Sequence, residues 1–139
     1  MTAMPNQPGA RKLYLALGAP TVLVGLLVRF HGDWMGGAAR DVTGDALWAM
    51  MMACWVSAIA PRQRSIARCA AALTICFAVE TSQLWHAPVL EYARSNRLGQ
   101  LVFGSGFDPR DFAAYALGVL VFVLLDRRLT APVADTLHL

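Results

Sequence analysis

Long apolar runs separated by short charged connectors define the elements of this chain. Leu13 to Val28 carries no charge and follows Arg11-Lys12, which predicts a first helix over residues 11–30. Basic residues before an apolar run also describe a signal peptide. Arg29-Phe30-His31-Gly32-Asp33 offers no small-residue cleavage site, so the helix is expected to be retained. Pro20 lacks an N–H and crowds the preceding turn, which predicts a kink. The charge-free stretch after Asp45 is only fifteen residues long. A spanning helix needs roughly 20 residues, so the second helix must start close to Asp45, with Thr43 as N-cap. Pro61 ends it, giving residues 43–60.

The third run holds only eleven uncharged residues between Arg68 and Glu80. That is too short to span, so the helix must carry Glu80 inside it and run over 66–86, until Pro88 discourages continuation. Glu80 lies five residues before Trp85, roughly 7.5 Å at 1.5 Å per residue, which puts it in the outer third of the bilayer. Ala87 to Phe107 alternates apolar and charged residues. It predicts a short interfacial helix followed by a segment tucked against the bundle, and structured loops of this length are often functional. Asp108-Pro109-Arg110-Asp111 reads as a helix start, with Asp at N-cap, Pro at N1 and an acid at N3. The fourth helix is then 109–128, closed by Asp126-Arg127-Arg128.

Composition turns these runs into membrane spans. The 139 residues suit one domain, and they are 57% hydrophobic and 15% charged, against about 25% charged in soluble domains. The predicted fold is all-α: a polytopic bundle of four transmembrane helices, with a long, partly structured outer loop between helices three and four. Residues 1–10 and 129–139 are expected to be tails. A net charge of +3 and a pI near 9.1 do not indicate nucleic acid, because the basic residues sit in clusters between apolar runs. One side of the bundle holds seven Lys and Arg and the other five, which places both termini in the cytoplasm. Cys54, Cys69 and Cys76 fall within helices and read as small packing residues.

The same topology brings polar side chains together. Glu80, Gln83 and His86 follow at three-residue steps, and neighbours three apart share a helix face. Asp45, Asp111 and Tyr115 arrive at the same membrane face from the second and fourth helices, and the loop adds Arg94, Arg97 and Arg110. Each has a plain reading. Asp45 and Asp111 suit helix N-termini, Arg94 and Arg97 suit snorkelling, His86 suits an interface belt, and Gly118 suits close packing. Glu80 either pairs with an arginine that holds the loop down or belongs to a ligand or catalytic site. As a ligand-binding set we expect Asp45, Glu80, Gln83, His86, Arg94, Arg97, Asp111 and Tyr115, with Glu80 and Asp111 as candidates for an acid or base. No HExxH, nucleophile elbow, P-loop or metal spacing occurs, and no cofactor is implied.

Gly44-Asp-Ala-Leu-Trp48, Glu80-x-x-Gln83, Arg94-x-x-Arg97-Leu-Gly-Gln-Leu-Val-Phe-Gly104-Ser-Gly-Phe107 and Asp111-x-x-Ala-Tyr115-x-x-Gly118 together resemble the VanZ-like small membrane proteins. Within that group the chain is most similar to domain-of-unknown-function family 2809. The resemblance implies a multi-pass protein of the bacterial inner membrane, about four helices, and a shared set of polar positions. It suggests cell-envelope work without supplying an activity. The leading expectation is a protein that binds an anionic lipid headgroup or a lipid-linked envelope precursor at the outer face, alone or as an oligomer, with no nucleic-acid partner. A membrane enzyme acting on a lipid-linked phosphate or glycan comes second, and a structural bundle with no ligand third. Transport comes last, because nothing polar lies between Tyr115 and Asp126 on the fourth helix.

Overall fold

In the computed structural model residues 9–103 and 106–130 are described, without the side chains of Arg97, Leu101 and Thr130. Most of both expected tails lies outside them. Six α-helices follow one another: α1 (Ala10–His31), α2 (Gly37–Ile59), α3 (Ser65–Ser82), α4 (Pro88–Arg94), α5 (Arg97–Phe103) and α6 (Asp111–Thr130). A 3-10 turn, Gly32–Met35, joins α1 to α2. Three helical stretches are long and apolar enough to cross a membrane: Ala10–Met35, Gly37–Ile59 and Ser65–Ser82. In α6 only fourteen uncharged residues separate Asp111 from Asp126, and Asp126, Arg127 and Arg128 crowd its last turns. The long connector between α3 and α6 forms two short helices, α4 and α5, in place of one.

α2 is the central helix, packed against α1, α3 and α6. Small residues allow this. Ala49, Ala53, Cys54, Ser57 and Ala58 are buried along α2, and Ala72 and Cys76 meet them from α3. All three cysteines are free and buried. The closest approach is at Gly118, where an added Cβ would collide with the Ala46 carbonyl oxygen and lie 2.8 Å from its carbon. A backbone cannot yield as a flexible side chain does, so Gly118→Ala must push α6 off α2. We expect a loss of about 1–3 kcal/mol, as for other overpacked interiors, read as a lower melting temperature in detergent. Gly25→Ala is the control, because its Cβ would make an ordinary 3.8 Å contact with Leu47.

The start of α2 and the end of α3 differ most from the expected boundaries, and α6 is shifted two residues, to Asp111–Thr130. α2 begins at Gly37, ahead of Thr43, because Gly36 turns the chain with φ +79° and its carbonyl accepts the Arg40 N–H at 3.0 Å. Arg40 also pairs with Asp33 at 2.5 Å across that turn. Asp45 therefore sits two turns inside α2, away from the N-terminal dipole. α3 stops at Ser82, short of His86. Thr81 Oγ1 donates back to the Phe77 carbonyl and Ser82 Oγ to that of Val79, and such back-bonding competes with the helix ladder. The N–H groups of Gln83 and Leu84 then bond three residues back, at 3.0 and 3.1 Å, which tightens the last turn. Pro20 lies inside α1, which continues through it.

A buried polar cluster ties the opposite end of the bundle. Asp126 of α6 accepts hydrogen bonds from Tyr14 Oη of α1 at 2.7 Å and from Ser65 Oγ and Arg68 Nη2 of α3 at 3.0 Å each. The Arg68 guanidinium also stacks 4.9 Å from the centre of the Tyr14 ring. The sequence puts Arg68 near the start of the third helix and Asp126 at the end of the fourth. Both are buried, because α3 begins at Ser65 and turns Arg68 inward.

Candidate functional site

Glu80 is fully buried in the last turn of α3. One carboxylate oxygen accepts the Asp108 N–H at 2.9 Å. The other accepts Gln83 Nε2 at 2.8 Å and Tyr115 Oη at 2.9 Å. Gln83 Oε1 in turn accepts the Gly106 N–H at 2.8 Å. Glu80 and Gln83 thus strap residues 106–108 to the end of α3. A carboxylate at a helix C-terminus opposes the helix dipole, whereas one at an N-terminus is favoured. Glu80 lies between the end of α3 and the start of α6, and the donors from the second offset the first. No arginine pairs with it among the described residues, where its partners are backbone, amide and phenol donors.

Arg94 holds the connector differently. Its Nη2 donates to the Ser82 carbonyl at 3.0 Å and its Nε to the Phe103 carbonyl at 3.2 Å, with a longer contact to the Trp85 carbonyl at 3.4 Å. It caps the end of α3, as basic residues do where carbonyls lack helical partners. His86 is off the helix, with a side chain 79% exposed and Nδ1 3.6 Å from Glu91. It does not join Glu80 and Gln83. The Arg97 side chain lies outside the described residues.

Asp45, Gln83, Asp111 and Tyr115 do converge. They line a partly open cavity of about 600 Å³, within the size range of small-molecule sites. Its helical walls come from α1, α2, α3, α5 and α6, and residues 106 and 108 of the strap also line it. Asp41, Asp45 and Trp48 present one face of α2, and Asp111 and Tyr115 one face of α6, in each case at helical spacing. Asp45 from α2 and Asp111 from α6 line the same cavity, near enough for their carboxyls to interact directly. Phe77 and Phe112, stacked edge to face at 4.8 Å, pack α3 against α6 beside the site.

Sequence reasoning missed Arg29, Arg40, Asp41 and Gln100, all of which line this cavity. Arg29 and Arg40 entered only the charge count for topology. The signal lay in Arg40-Asp41, which places an ion pair one turn before Asp45 once α2 is extended to Gly37. Arg29 Nη1 is 3.8 Å from Asp41 and Arg40 Nε is 3.7 Å from it. Chemically, the cavity offers arginines for an anionic oxygen, a carboxyl pair for a cation or a proton, and an apolar wall of Val22, Leu26, Met51 and Val79. Among the described residues no three His, Cys, Asp or Glu side chains are placed to hold a metal ion.

An all-α chain with three helices suited to crossing a bilayer, and a cavity of mixed polarity at one end, is a multi-pass membrane protein. A family model described as "Protein of unknown function (DUF2809)" matches residues 34–119, and the chain belongs to that family. The match runs from the turn before α2 into α6 and includes every residue of the expected site. No solved structure matches the chain.

Proposed function

We propose that this protein binds the polar head of a lipid-borne molecule, such as a membrane lipid or a lipid-linked envelope precursor, in the cavity between α1, α2, α5 and α6. The observation that carries this reading is the split lining. Arg29, Arg40, Asp45 and Asp111 lie on the same cavity as Leu26, Leu98 and Val102, and Leu98 is 73% exposed. A lining that carries both charged and apolar side chains suits an amphiphile. Arg94 is committed to capping α3, and Arg29 and Arg40 line the cavity as candidates to meet an anion.

The same proposal treats α6 as a fourth span, with both termini in the cytoplasm of a bacterial cell, the cavity at the outer face, and a VanZ-like relationship. The α6 side chains turned away from the bundle support it. Leu117, Leu120, Val121 and Leu124 are exposed, which is costly in water and neutral in lipid. Catalysis is the second reading. It rests on Asp45 and Asp111 facing one cavity, since Glu80 is fully buried on three donors and does not line it.

Filling the cavity tests the proposal. Gly44 lines it, and an added Cβ there meets nothing within 4 Å. Gly44→Phe is expected to fold as wild type and to lose most of the lipid that native mass spectrometry finds on the protein purified in mild detergent. Equal lipid occupancy in the two proteins would sink the cavity as the binding site.

A further inference from the structure

The charges around the cavity are not evenly matched. Among the described residues Asp41, Asp45, Asp108 and Asp111 line it, and Arg29 and Arg40 are the basic side chains opposite. Both arginines already have carboxylate neighbours: Arg29 has Asp41, and Arg40 has Asp33 and Asp41. Asp108 Oδ1 accepts the Arg110 N–H at 2.9 Å, capping the turn into α6. Asp45 and Asp111 have each other, and no basic side chain pairs with either among the described residues. Two carboxyls near enough to interact directly need a positive charge or a proton between them, because bare carboxylates repel. A primary ammonium meets that need, with three donors and a full positive charge. A divalent cation fits less well, since it takes six or more oxygens and no third carboxylate or imidazole is placed to complete a site.

The opposite charge is catered for on the same cavity. Arg40 Nε is shielded from solvent and donates no hydrogen bond, and an unused buried guanidinium N–H calls for an anionic oxygen. One end of the cavity therefore suits an ammonium and another an anion such as phosphate. The way in is apolar. α1 and α5 both line the cavity, yet none of their Cα atoms come within packing distance of one another. Leu26 of α1 and Leu98 and Val102 of α5 line the cavity and are all exposed. A gap framed by such residues opens toward acyl chains.

We infer that the cavity takes a zwitterionic lipid headgroup, a primary ammonium beside a phosphate, entering sideways from the bilayer between α1 and α5. The ammonium sits between Asp45 and Asp111, and the phosphate meets Arg40 and Arg29. This rests on the cavity being a lipid-head site, and it replaces a purely anionic headgroup with a paired-charge one.

The test compares three lipids on the full-length wild-type protein in detergent, by native mass spectrometry over a lipid titration. Phosphatidylethanolamine has both charges and N–H donors. Phosphatidylcholine has both charges but no N–H, and phosphatidylglycerol has the phosphate alone. Phosphatidylethanolamine is expected to bind on the order of ten-fold more tightly than either, the weight of one charge-assisted hydrogen bond. Asp45→Asn combined with Asp111→Asn should erase that preference, and Arg40→Gln should weaken phosphatidylethanolamine and phosphatidylglycerol alike. Equal binding of phosphatidylethanolamine and phosphatidylcholine, or tighter binding of phosphatidylglycerol, overturns the ammonium assignment and leaves a lipid-head cavity standing. Failure of all three lipids to bind overturns both.

Discussion

Asp126→Ala is expected to lower the stability of the folded protein by about 3–5 kcal/mol, the usual cost of stranding one member of a buried ion pair. Arg68 is 3% exposed and Asp126 4%, so neither charge can turn to solvent when the other is removed. Arg68 is the more exposed to this loss in energetic terms. Its Nε and Nη1 are buried without a hydrogen-bond partner, and Asp126 is the carboxylate it meets, at 3.0 Å. The same substitution orphans the Tyr14 hydroxyl and the Ser65 hydroxyl, which come from α1 and α3. Three helices would lose their common anchor at one residue. Asp126→Asn, which keeps an acceptor and loses the charge, should fall between wild type and Asp126→Ala. The double substitution Arg68→Met with Asp126→Leu should recover most of the loss, because it removes the stranded charge along with its partner. Melting temperatures in detergent for wild type, Arg68→Met, Asp126→Leu and the double variant supply the coupling energy. A double variant less stable than Asp126→Ala would show that the cluster is held by something other than the ion pair.

That cluster marks the limit of reading the chain from its sequence. Arg68 and Asp126 are 58 residues apart, Arg68 one turn after Arg64 and Asp126 beside Arg127, so pattern alone assigns both to the water-facing ends of helices. Their partnership is a fact of packing, set by which way α3 and α6 turn their first and last residues. Span arithmetic did better with Glu80. Eleven uncharged residues could not cross a bilayer, so the carboxylate had to lie within α3, and it is fully buried there. The same arithmetic carried the helix four residues too far. It treated Pro88 as the stop, whereas Thr81 and Ser82 had already diverted the last carbonyls. His86 was lost from the site for that reason. The turn into the last helix was legible from Asp108, which accepts the Arg110 N–H, but α6 begins at Asp111 and not at 109, so Asp108 is not its N-cap. The role of Arg94 was not, since its acceptors are carbonyls that become available only once α3 has ended.

Glu80→Ala is expected to cost about 3 kcal/mol or more and to release the strap before α6. Three donors converge on this carboxylate, the Asp108 N–H, Gln83 Nε2 and Tyr115 Oη, and leaving a buried donor unpaired costs about 1–3 kcal/mol each. Relaxation or an entering water would satisfy some of them, which keeps the sum below the simple total. Glu80→Gln preserves the shape but turns an acceptor into an NH₂ facing a donor, so an intermediate loss follows. Hydrogen exchange reads the effect locally. The amides of Gly106 and Asp108, bonded to Gln83 and Glu80, should exchange much faster in Glu80→Ala, while amides at the centre of α2 keep their protection relative to the lowered global stability. The two carboxylate sites then separate by phenotype. Because Gln83, Tyr115 and the strap all line the cavity, lipid occupancy should fall together with folded yield in Glu80→Ala. Asp45→Asn and Asp111→Asn should change lipid preference with little loss of yield, since each keeps its size at a half-buried position. If Glu80→Ala instead folded and exchanged like wild type while losing its lipid, Glu80 would be a ligand group and its three donors incidental. Its complete burial and the convergence of Asp108, Gln83 and Tyr115 on its two oxygens argue for the first outcome, a carboxylate spent on joining the end of α3 to the start of α6.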